Sequence, residues 1–459
     1  MMDPWNNALV LGLGISGLAA ARMLRREGSR VTVLDAQTGP DLEARAAQLD
    51  RDGMRVQLGA REVPAGAFDI CVTSPGIALN SAWITALRAR GVPVISELEL
   101  GARRCRCPIL AVTGTNGKST FAKLCADVLN SAGLRAEAAG NYGVPLCDTA
   151  TRSGALDWVV AEVSSFQLET VDQLRPRIGV LLNVQPNHLD RHKDMQSYTA
   201  TKAALFRRMG CGDVAFVYEP VAALVRRRVE QDRGPAGGGE AAPCKWLTFG
   251  LSKSAGYRYY RNQVSFEEAG VATSVSVAGT YFDNEILGVA AAAAVGALTQ
   301  CGIPSTRIEE AMRGFEPLPH RMRVVMSRGG VTFVDDSKAT TLAAMEAALR
   351  MSGRPVRLIA GGRLKEHVLD GVRDMLGRKA RAVYLIGEAA QGMERAWRDA
   401  VPCKPCGTLK RAVEEAWMDA EAGETVLLAP GCASFDQFKN FEDRGNQFAE
   451  IVRLLHEKQ

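Results

Sequence analysis

Short apolar runs alternate with helix-like segments along most of the chain. Residues 8–11 form an apolar run that ends in a glycine-rich turn, and a helical pattern follows through Arg26. Later apolar runs at 30–35, 69–73 and 92–95 repeat this alternation. Strands that alternate with helices predict a parallel sheet with helices on both faces. The first part of the chain is therefore predicted to be an α/β domain.

The same alternation starts again twice. A second series begins with the apolar run 108–112, and a third begins near His320, after Pro317 and Pro319. We predict three domains, at residues 1–97, 98–318 and 319–459. The strands predicted in the last two are 158–161, 178–182, 331–335, 356–360, 382–386 and 425–429.

The amino-acid composition argues against two classes of function, nucleic-acid binding and membrane insertion. The 459 residues suffice for about three domains of ordinary size, and the net charge of +5 is mild and scattered. No basic block resembles a nucleic-acid-binding arm, and no apolar stretch reaches the ~20 residues that a membrane helix needs. The alanine-rich run 289–297 is expected to be a buried helix. We expect a cytoplasmic protein that binds neither nucleic acid nor membrane.

The chain has 11 cysteines. An odd number in a long chain predicts free thiols in a reducing compartment rather than a disulfide framework. Cys403 and Cys406 have CxxC spacing, and Cys105 and Cys107 form a CxC, but neither pair has a second ligand pair nearby. Ordinary thiols are favoured over a zinc or redox site.

A glycine-rich turn between a predicted strand and helix is typical of a phosphate-binding loop. Backbone N–H groups and the helix N-terminus would cradle phosphates. Lys118 would reach the β- and γ-phosphates, and the Ser119 hydroxyl would ligate Mg²⁺. The general pattern has a further glycine at position 112, where this chain has Val112, so a chance loop is the alternative. The loop consists of Gly114, Thr115, Asn116, Gly117, Lys118, Ser119 and Thr120.

A GxGxxG run lies between the first strand and helix, at Gly12–Gly17, and Asp35 closes the next strand. This arrangement predicts a diphosphate at a helix N-terminus but leaves the attached nucleotide open. A nicotinamide dehydrogenase and a purely structural turn are the alternatives. Two nucleotide-type sites in separate domains favour an enzyme that uses ATP and a nucleotide-linked substrate.

Polar residues follow several predicted strands. Glu162 and His188 come at strand ends, where ligands bind in open α/β sheets, and they suggest a metal site near the phosphate loop. His192 gives a zinc-like spacing to His188, but no HExxH motif is present. Surface positions for both histidines are the alternative.

Three loops of the last domain carry cations or hydroxyls at predicted strand ends. They contain Asp336, Lys338 and Thr340, then Lys365, then residues 433–439. Together such loops could hold a small dicarboxylate. Taken singly, each loop is better explained as solvated surface charge, and only the three together make the two interpretations equal.

Several of these motifs occur in the order found in the Mur ligase family. The resemblance covers essentially the whole chain, and the C-terminal motif is similar to that of the D-glutamate-adding members. The motifs are residues 113–119, 140–143, 162–168, 183–190, 320–321, 336–340 and 432–445.

The resemblance implies an α/β fold of three domains: N-terminal Rossmann-like, central P-loop ATPase-like with a mostly parallel sheet, and C-terminal Rossmann-like. It implies ATP-dependent addition of D-glutamate to UDP-N-acetylmuramoyl-L-alanine through an acyl phosphate, as a step in peptidoglycan synthesis. It also implies a cytoplasmic enzyme that acts as a monomer.

The resemblance further implies roles for individual residues. Lys118, His188, Lys202, Arg321 and Lys338 would be catalytic. The phosphate loop, Asn284, Arg321 and Asp336 would bind ATP. Two Mg²⁺ ions would be held by Ser119, Glu162, His188 and Lys202, the last as a carbamate. Substrates would be bound by Ile15, Ser16, Asp35, Ser74, Gly76, Asn141, His188, Thr340, Lys365, Ser434, Phe435 and Phe441.

Three other functions remain open at this point. A ligase of the folylpolyglutamate synthetase type shares the phosphate loop, but it is not expected to have the N-terminal GxGxxG domain. A nicotinamide oxidoreductase leaves the phosphate loop unexplained. A non-catalytic nucleotide-binding regulator would bind ATP without releasing phosphate.

Overall fold

A computed structural model describes residues 5–187, 189–233, 244–268, 270–364 and 368–455. His188, Lys365 and the glycine-rich stretch 234–240 therefore lie outside the described residues. Two compact units are present: the first runs to Asp283 and includes Gly288–Gly314, and the second comprises Asn284–Leu287 and the chain from Phe315 onward.

The first sheet of the first unit has five parallel strands in the order β3-β2-β1-β4-β5. Residues 8–11 of β1 are fully buried, as expected for a strand covered on both faces. The helix α4 leads directly from β5 towards the second sheet. The elements are β1 (Asn7–Leu11), α1 (Ile15–Arg26), β2 (Arg30–Leu34), α2 (Pro40–Arg51), β3 (Arg55–Gln57), β4 (Ile70–Thr73), α3 (Ala82–Ala89), β5 (Val94–Ser96) and α4 (Glu97–Arg104).

The second sheet has nine strands in the order β14-β13-β12-β11-β10-β9-β6-β8-β7. It is parallel from β7 to β12, and β12, β13 and β14 pair antiparallel. Its strands are β6 (Ile109–Thr113), β7 (Ala136–Gly140), β8 (Trp158–Glu162), β9 (Ile178–Leu181), β10 (Val214–Tyr218), β11 (Lys245–Gly250), β12 (Tyr257–Tyr260), β13 (Gln263–Glu268) and β14 (Val271–Ser276).

Helices cover this sheet, and the central strand β6 is completely buried. The alanine-rich run 289–297 lies inside a helix whose residues 291–298 are buried, as the sequence predicts. The helices are α5 (Lys118–Ser131), α6 (Leu146–Ala150), α7 (Ser165–Leu168), α8 (Leu189–His192), α9 (Met195–Ala203), α10 (Glu219–Arg233), α11 (Glu285–Gln300) and α12 (Ser305–Arg313), with 3₁₀ turns at Ser153–Ala155 and Ala204–Phe206.

The second unit is built on a six-stranded sheet in the order β15-β16-β20-β17-β18-β19, parallel except for the edge strand β15. The fold is thus α/β with three mostly parallel sheets. The elements are β15 (Arg323–Arg328), β16 (Val331–Asp335), α13 (Leu342–Met351), β17 (Val356–Gly361), a 3₁₀ turn (Asp370–Val372), α14 (Arg373–Lys379), β18 (Ala380–Ile386), α15 (Ala390–Trp397), β19 (Cys403–Gly407), α16 (Leu409–Asp419), β20 (Thr425–Leu428) and α17 (Phe441–Leu454).

All 11 cysteines are free thiols. The CxxC run lies along the strand β19 rather than at a helix N-terminus, where a reactive cysteine pair would have its thiolate stabilised. In the part of the chain that the structure describes, no helix has both the length and the apolar composition needed to cross a bilayer.

Candidate functional site

The predicted phosphate loop joins β6 to α5 at the carboxyl edge of the second sheet. Gly114 has φ +155° and Gly117 has φ +85°, which are conformations that side chains with a Cβ rarely adopt. The Lys118 Nζ donates hydrogen bonds to the carbonyls of Gly114 and Thr115 at 3.0 and 2.9 Å. The loop therefore forms a turn at a helix N-terminus, a suitable place for an anion.

Asn183 fixes the shape of this loop from the end of β9. Its Oδ1 accepts the backbone N–H groups of Thr115 and Asn116 at 3.0 and 2.9 Å, and its Nδ2 donates to the Asn116 carbonyl at 3.1 Å. Asn183 is not among the site residues predicted from sequence. Its place in a polar run directly after an apolar strand was the available signal.

Glu162 and Asn141 meet beside the loop. The Asn141 Nδ2 donates to the Glu162 Oε1 at 2.7 Å. The backbone approaches closely here, because a Cβ on Gly140 would lie 2.4 Å from the Glu162 carbonyl oxygen. Among the described residues, no donor reaches the buried Oε2 of Glu162 or the buried Oγ1 of Thr113. Strand pairing aligns Val112 with Glu162, so Thr113 lies on the strand next to Glu162.

The unpartnered Oε2 of Glu162 fits a hard cation. Mg²⁺ prefers carboxylate, hydroxyl and water oxygens, and an unpartnered buried carboxylate oxygen is costly without a cation or a donor. In the described ranges, no three His, Cys, Asp or Glu side chains converge as a metal site. The predicted ligand His188 lies outside those ranges.

Lys202 is buried beneath the loop, with an exposed fraction of 1%. Its Nζ donates to the Gly114 carbonyl at 2.9 Å and lies 4.5 Å from the centre of the Tyr198 ring. Burial, with a further contribution from the charge of Lys118, holds the pKa of Lys202 well below its usual value. The structure therefore brings two predicted catalytic lysines to the same loop and favours a neutral amine at Lys202.

His192 has structural contacts instead of a metal-binding neighbourhood. Its Nε2 lies 3.0 Å from the Ser165 hydroxyl, and its ring stacks against Phe166 and contacts Tyr198. The Tyr198 hydroxyl lies 3.4 Å from the Thr115 hydroxyl. His192 therefore packs against Tyr198, and Tyr198 in turn contacts Thr115 of the phosphate loop.

The glycine-rich turn of the first sheet is stabilised by Asp35. Its Oδ2 accepts the Leu13 N–H at 2.7 Å, and its Oδ1 accepts the Gln37 N–H at 2.9 Å. A Cβ on Gly17 would lie 1.8 Å from the Gly12 carbonyl oxygen, so the helix packs directly on the turn. Both carboxylate oxygens of Asp35 already hold the turn in shape, which gives this residue a structural role in addition to any contact with a ligand.

Other predicted residues of the first sheet lie around this turn. The Ser74 Oγ lies 3.3 Å from the Gly12 carbonyl, and Ile15 is 67% exposed at the start of α1. Arg191 of α8 donates to the carbonyls of Pro75 and Ile77 at 3.1 and 3.4 Å. Arg191 was not predicted as a site residue; it fixes the loop that contains Ser74 and Gly76.

In the second unit, the predicted ATP-binding residue Asp336 lies directly after β16. The Asp336 Oδ1 accepts the Met322 N–H at 3.1 Å. Burial raises the pKa of Asp336 to about 7, although the Arg321 guanidinium opposes this rise. The Lys338 Nζ lies 3.6 Å from the centre of the Phe441 ring, a cation–π contact. The structure thus brings together predicted ATP-binding and D-glutamate-binding residues of this unit.

Arg444 connects two predicted substrate loops of the second unit. It is completely buried and donates to the Ser337 hydroxyl and carbonyl at 3.0 and 2.9 Å, and to the Cys432 carbonyl at 3.2 Å. Ser434, two residues after Cys432, is only 2% exposed, whereas Phe435 is 63% exposed. Arg444 stands in the C-terminal motif of residues 432–445, but it is not among the predicted site residues.

Two further predicted binding residues, Asn284 and Thr340, form hydrogen bonds with nearby residues of the chain. The Asn284 Oδ1 accepts the Leu287 N–H at 3.0 Å, as a residue that precedes a helix commonly does. The Thr340 N–H donates to the Lys338 carbonyl at 2.8 Å. Lys365 lies outside the described residues.

Comparison with known proteins gives matches to all three parts of the chain. Family models match at residues 6–96 (Mur ligase MurD-like, N-terminal domain), 112–293 (Mur ligase middle domain) and 320–432 (Mur ligase, glutamate ligase domain). Among solved structures, the ligase MurF from Thermotoga maritima in complex with ADP has a TM-score of 0.61 at 15% identity, covering 92% of this chain and 95% of that one. A pseudomurein peptide ligase type C from Methanothermus fervidus has a TM-score of 0.59 at 15% identity, covering 98% and 99%. Both show the same fold.

Curated relatives are similar over nearly their full length. The UDP-N-acetylmuramoylalanine–D-glutamate ligase of Syntrophotalea carbinolica is 36% identical over 458 residues, covering 98% of each chain. The protein of the same name from Nitratidesulfovibrio vulgaris is 36% identical over 454 residues, covering 98% of this chain and 97% of its own. With the family matches in all three parts and the phosphate loop described above, the chain belongs to the Mur ligase family.

Proposed function

We propose that this protein is a ligase that uses ATP to join D-glutamate to UDP-N-acetylmuramoylalanine in peptidoglycan synthesis. The observation that carries the proposal is the 36% identity to ligases of that name over 98% of the chain. The GxGxxG turn, the phosphate loop and the cationic loops of the second unit are the three sites that such a reaction requires. We also propose that the domains meet near residues 97 and 318, and that the enzyme acts as a cytoplasmic monomer.

The first sheet is proposed to bind the UDP end of the substrate. The exposed side chain of Ile15 and the N-terminus of α1 lie beside the glycine-rich turn that Asp35 holds in shape. A diphosphate bound there would interact favourably with the helix N-terminus. Ser16, Ser74 and Gly76 are proposed as neighbouring contacts. Asn141 and His188 are proposed to contact the same substrate nearer the reacting carboxylate.

The middle sheet is proposed to bind ATP at the loop of residues 114–120. The Lys118 ammonium lies at the loop, where it donates to the Gly114 and Thr115 carbonyls, and it would neutralise charge on the terminal phosphates of bound ATP. We propose that Asn284, Arg321, Asp336 and Lys338 also contact ATP. Catalysis of phosphoryl transfer depends chiefly on such positioning and charge neutralisation.

Two Mg²⁺ ions are proposed, held by Ser119, Glu162, His188 and a carbamate at Lys202; they would neutralise phosphate charge. The unpartnered Oε2 of Glu162 supports Glu162 as a ligand of one Mg²⁺ ion. The lowered pKa of Lys202 supports the carbamate, because only a neutral amine attacks CO₂. That attack forms an N–C bond, releases one proton and replaces a buried neutral amine with an anionic carbamate.

The proposed reaction activates the carboxylate before the amide forms. A carboxylate oxygen of the alanyl group attacks the γ-phosphorus of ATP, ADP leaves, and an acyl phosphate results. The deprotonated amine of D-glutamate then attacks the acyl carbon, and phosphate leaves as the amide forms. Thr340, Lys365, Ser434, Phe435 and Phe441 are proposed to bind D-glutamate. Holding the two reactants close together and correctly oriented supplies much of the rate enhancement.

One assay separates this proposal from the alternatives. Phosphate release from ATP is measured with UDP-N-acetylmuramoylalanine, with D-glutamate added or withheld. The proposal predicts release that depends on both co-substrates, with formation of the amide. ATP binding without phosphate release would favour a regulator, and reduction of a nicotinamide cofactor would favour an oxidoreductase. Release with a folate and L-glutamate instead would favour the folylpolyglutamate synthetase type.

A further inference from the structure

We propose that the first unit carries a second anion site, for a metabolite with a diphosphate group, in a cavity at the C-terminal end of α1. The cavity has a volume of about 430 Å³, within the range of roughly 300–1,000 Å³ typical of small-molecule sites. Its charged lining residues come from α1, from the connection between α4 and β6, and from the segment after α6. They are Arg26, Glu27, Arg104, Arg106 and Arg152.

The charges in this cavity do not balance. Glu27 forms a two-point ion pair with Arg104, with Nε–Oε1 and Nη2–Oε2 distances of 2.6 and 3.0 Å. Arg152 is paired with Glu137. For Arg26 and Arg106, the described residues provide no side-chain acceptor, and both are exposed to the cavity mouth. Two guanidinium groups are therefore left to bind an anion from solution.

The cavity is remote from the proposed reaction centre. The glycine-rich turn meets the N-terminus of α1, whereas Arg26 lies at its C-terminus, and a helix of 12 residues is roughly 18 Å long. Likewise, the phosphate loop follows the carboxyl end of β6, whereas Arg104 and Arg106 precede its amino end. Both comparisons place the cavity at the opposite edge of the sheets. The inference therefore stands or fails independently of the proposed ligase function.

The chemistry of the lining indicates the ligand class. Guanidinium groups bind phosphate oxygens through paired N–H donors, and several of them favour a ligand with adjacent negative charges. Met23, Ala150 and Ala155 provide an apolar part of the wall. That part suits an organic group attached to the diphosphate. The alternative explanation is that Arg25 and Arg26 only interact favourably with the negative C-terminal end of the α1 dipole. The experiment has to distinguish this dipole effect from an anion-binding site.

Calorimetric titration with inorganic pyrophosphate at fixed ionic strength tests the proposal. Wild type is compared with Arg26→Ala, Arg106→Ala and the matched control Arg25→Ala. Arg25 lies in the same last turn of α1, but its Nε donates to the Asp52 carbonyl at 3.0 Å, away from the cavity. Lys118→Ala identifies any binding at the phosphate loop. Thermal unfolding shows that each variant is folded.

We expect Arg26→Ala and Arg106→Ala each to weaken one binding event by roughly tenfold or more, on the scale of a lost charge-assisted hydrogen bond. Arg25→Ala and Lys118→Ala should leave that event unchanged. Wild-type fluorescence should also change on binding and Trp5→Phe should reduce the change, because the Arg104 guanidinium lies 5.1 Å from the centre of the Trp5 ring. The proposal is overturned if Arg25→Ala has an equal effect, or if Lys118→Ala removes all binding.

Discussion

Glu97 is a buried carboxyl group at the start of α4 whose charge state should control local stability. Its Oε1 accepts the Cys147 N–H of α6 at 2.6 Å, but among the described residues no donor reaches its buried Oε2. Burial raises the pKa of Glu97 from 4.5 to about 7, opposed by the hydrogen bond from Cys147. A single bonded oxygen does not compensate for the lost hydration of a carboxylate.

The sign of the pH dependence follows from this rise in pKa. The folded protein keeps the proton on Glu97 at pH values between 4.5 and about 7, whereas the unfolded chain has released it. Stability is therefore fully present below pH 4.5 and is lost as pH rises through about 7. Each tenfold change in proton affinity is worth about 1.4 kcal/mol, so the loss amounts to about 3 kcal/mol. Glu97→Gln cannot release a proton and should lack this pH dependence.

Amide hydrogen exchange in α4 and α6 measures the local effect without requiring the whole chain to unfold in one step. Relative to wild type, Glu97→Gln should become more protected by about 3 kcal/mol between pH 4.5 and 8. Glu99→Gln is the matched control. Glu99 accepts bonds from Arg103, Gln173 and Leu174, so its loss should destabilise by roughly 1.5–3 kcal/mol or more. A constant difference in protection between Glu97→Gln and wild type across this range would show that Glu97 does not change its charge there.

Three further predictions concern the proposed sites. Lys202→Ala should lower phosphate release by roughly 10²-fold, and added formate should restore part of it, because formate can replace a carbamate anion. If formate restores no activity, or if Lys202→Arg is as active as wild type, Lys202 does not act as a carbamate. Arg444→Ala should destabilise the second unit by about 2–6 kcal/mol, because the buried carbonyls of Ser337 and Cys432 lose the Arg444 donor at about 1–3 kcal/mol each. Ser337→Ala should cost clearly less. Urea unfolding followed by exchange in α17 distinguishes the two variants, and equal costs would exclude the proposed connection. Lys365→Ala should raise the KM for D-glutamate far more than that for ATP, and equal rises in steady-state assays would remove its assigned role.

The central strands and the ligand-binding turns could be predicted from sequence because their signals are local. In fully covered parallel strands such as β1 and β6, the buried residues are consecutive and stand out as apolar runs. A glycine-rich turn between a strand and a helix needs only neighbouring residues to be identified. The motif order across the chain then identified the family and its fold.

Short edge strands could not be predicted from local apolar runs. In β3 and β15, exposed or half-buried residues predominate, and β19 contains Pro405, which argues against a strand in sequence. The hairpin β13–β14 is not among the predicted strands, although β13 shows alternation, with Val264 and Phe266 buried.

Supporting residues depend on contacts between distant parts of the chain. Asn183 and Arg444 act on loops 67 and 107 residues away, and such partners become apparent only when the sheets bring them together. The same is true of Arg191, which contacts Pro75 across 116 residues. A local motif therefore identifies the groups that touch the ligands, whereas the residues that position those groups require the fold.

The fate of the carboxylate oxygens shows whether ATP activates the carboxylate. UDP-N-acetylmuramoylalanine labelled with ¹⁸O at both carboxylate oxygens is incubated with ATP and D-glutamate, and the products are analysed by mass spectrometry. If the carboxylate attacks the γ-phosphorus, one labelled oxygen leaves in the released phosphate and the other remains in the amide. Released phosphate without label, or no product at all from the folded enzyme, would contradict activation of the carboxylate by ATP.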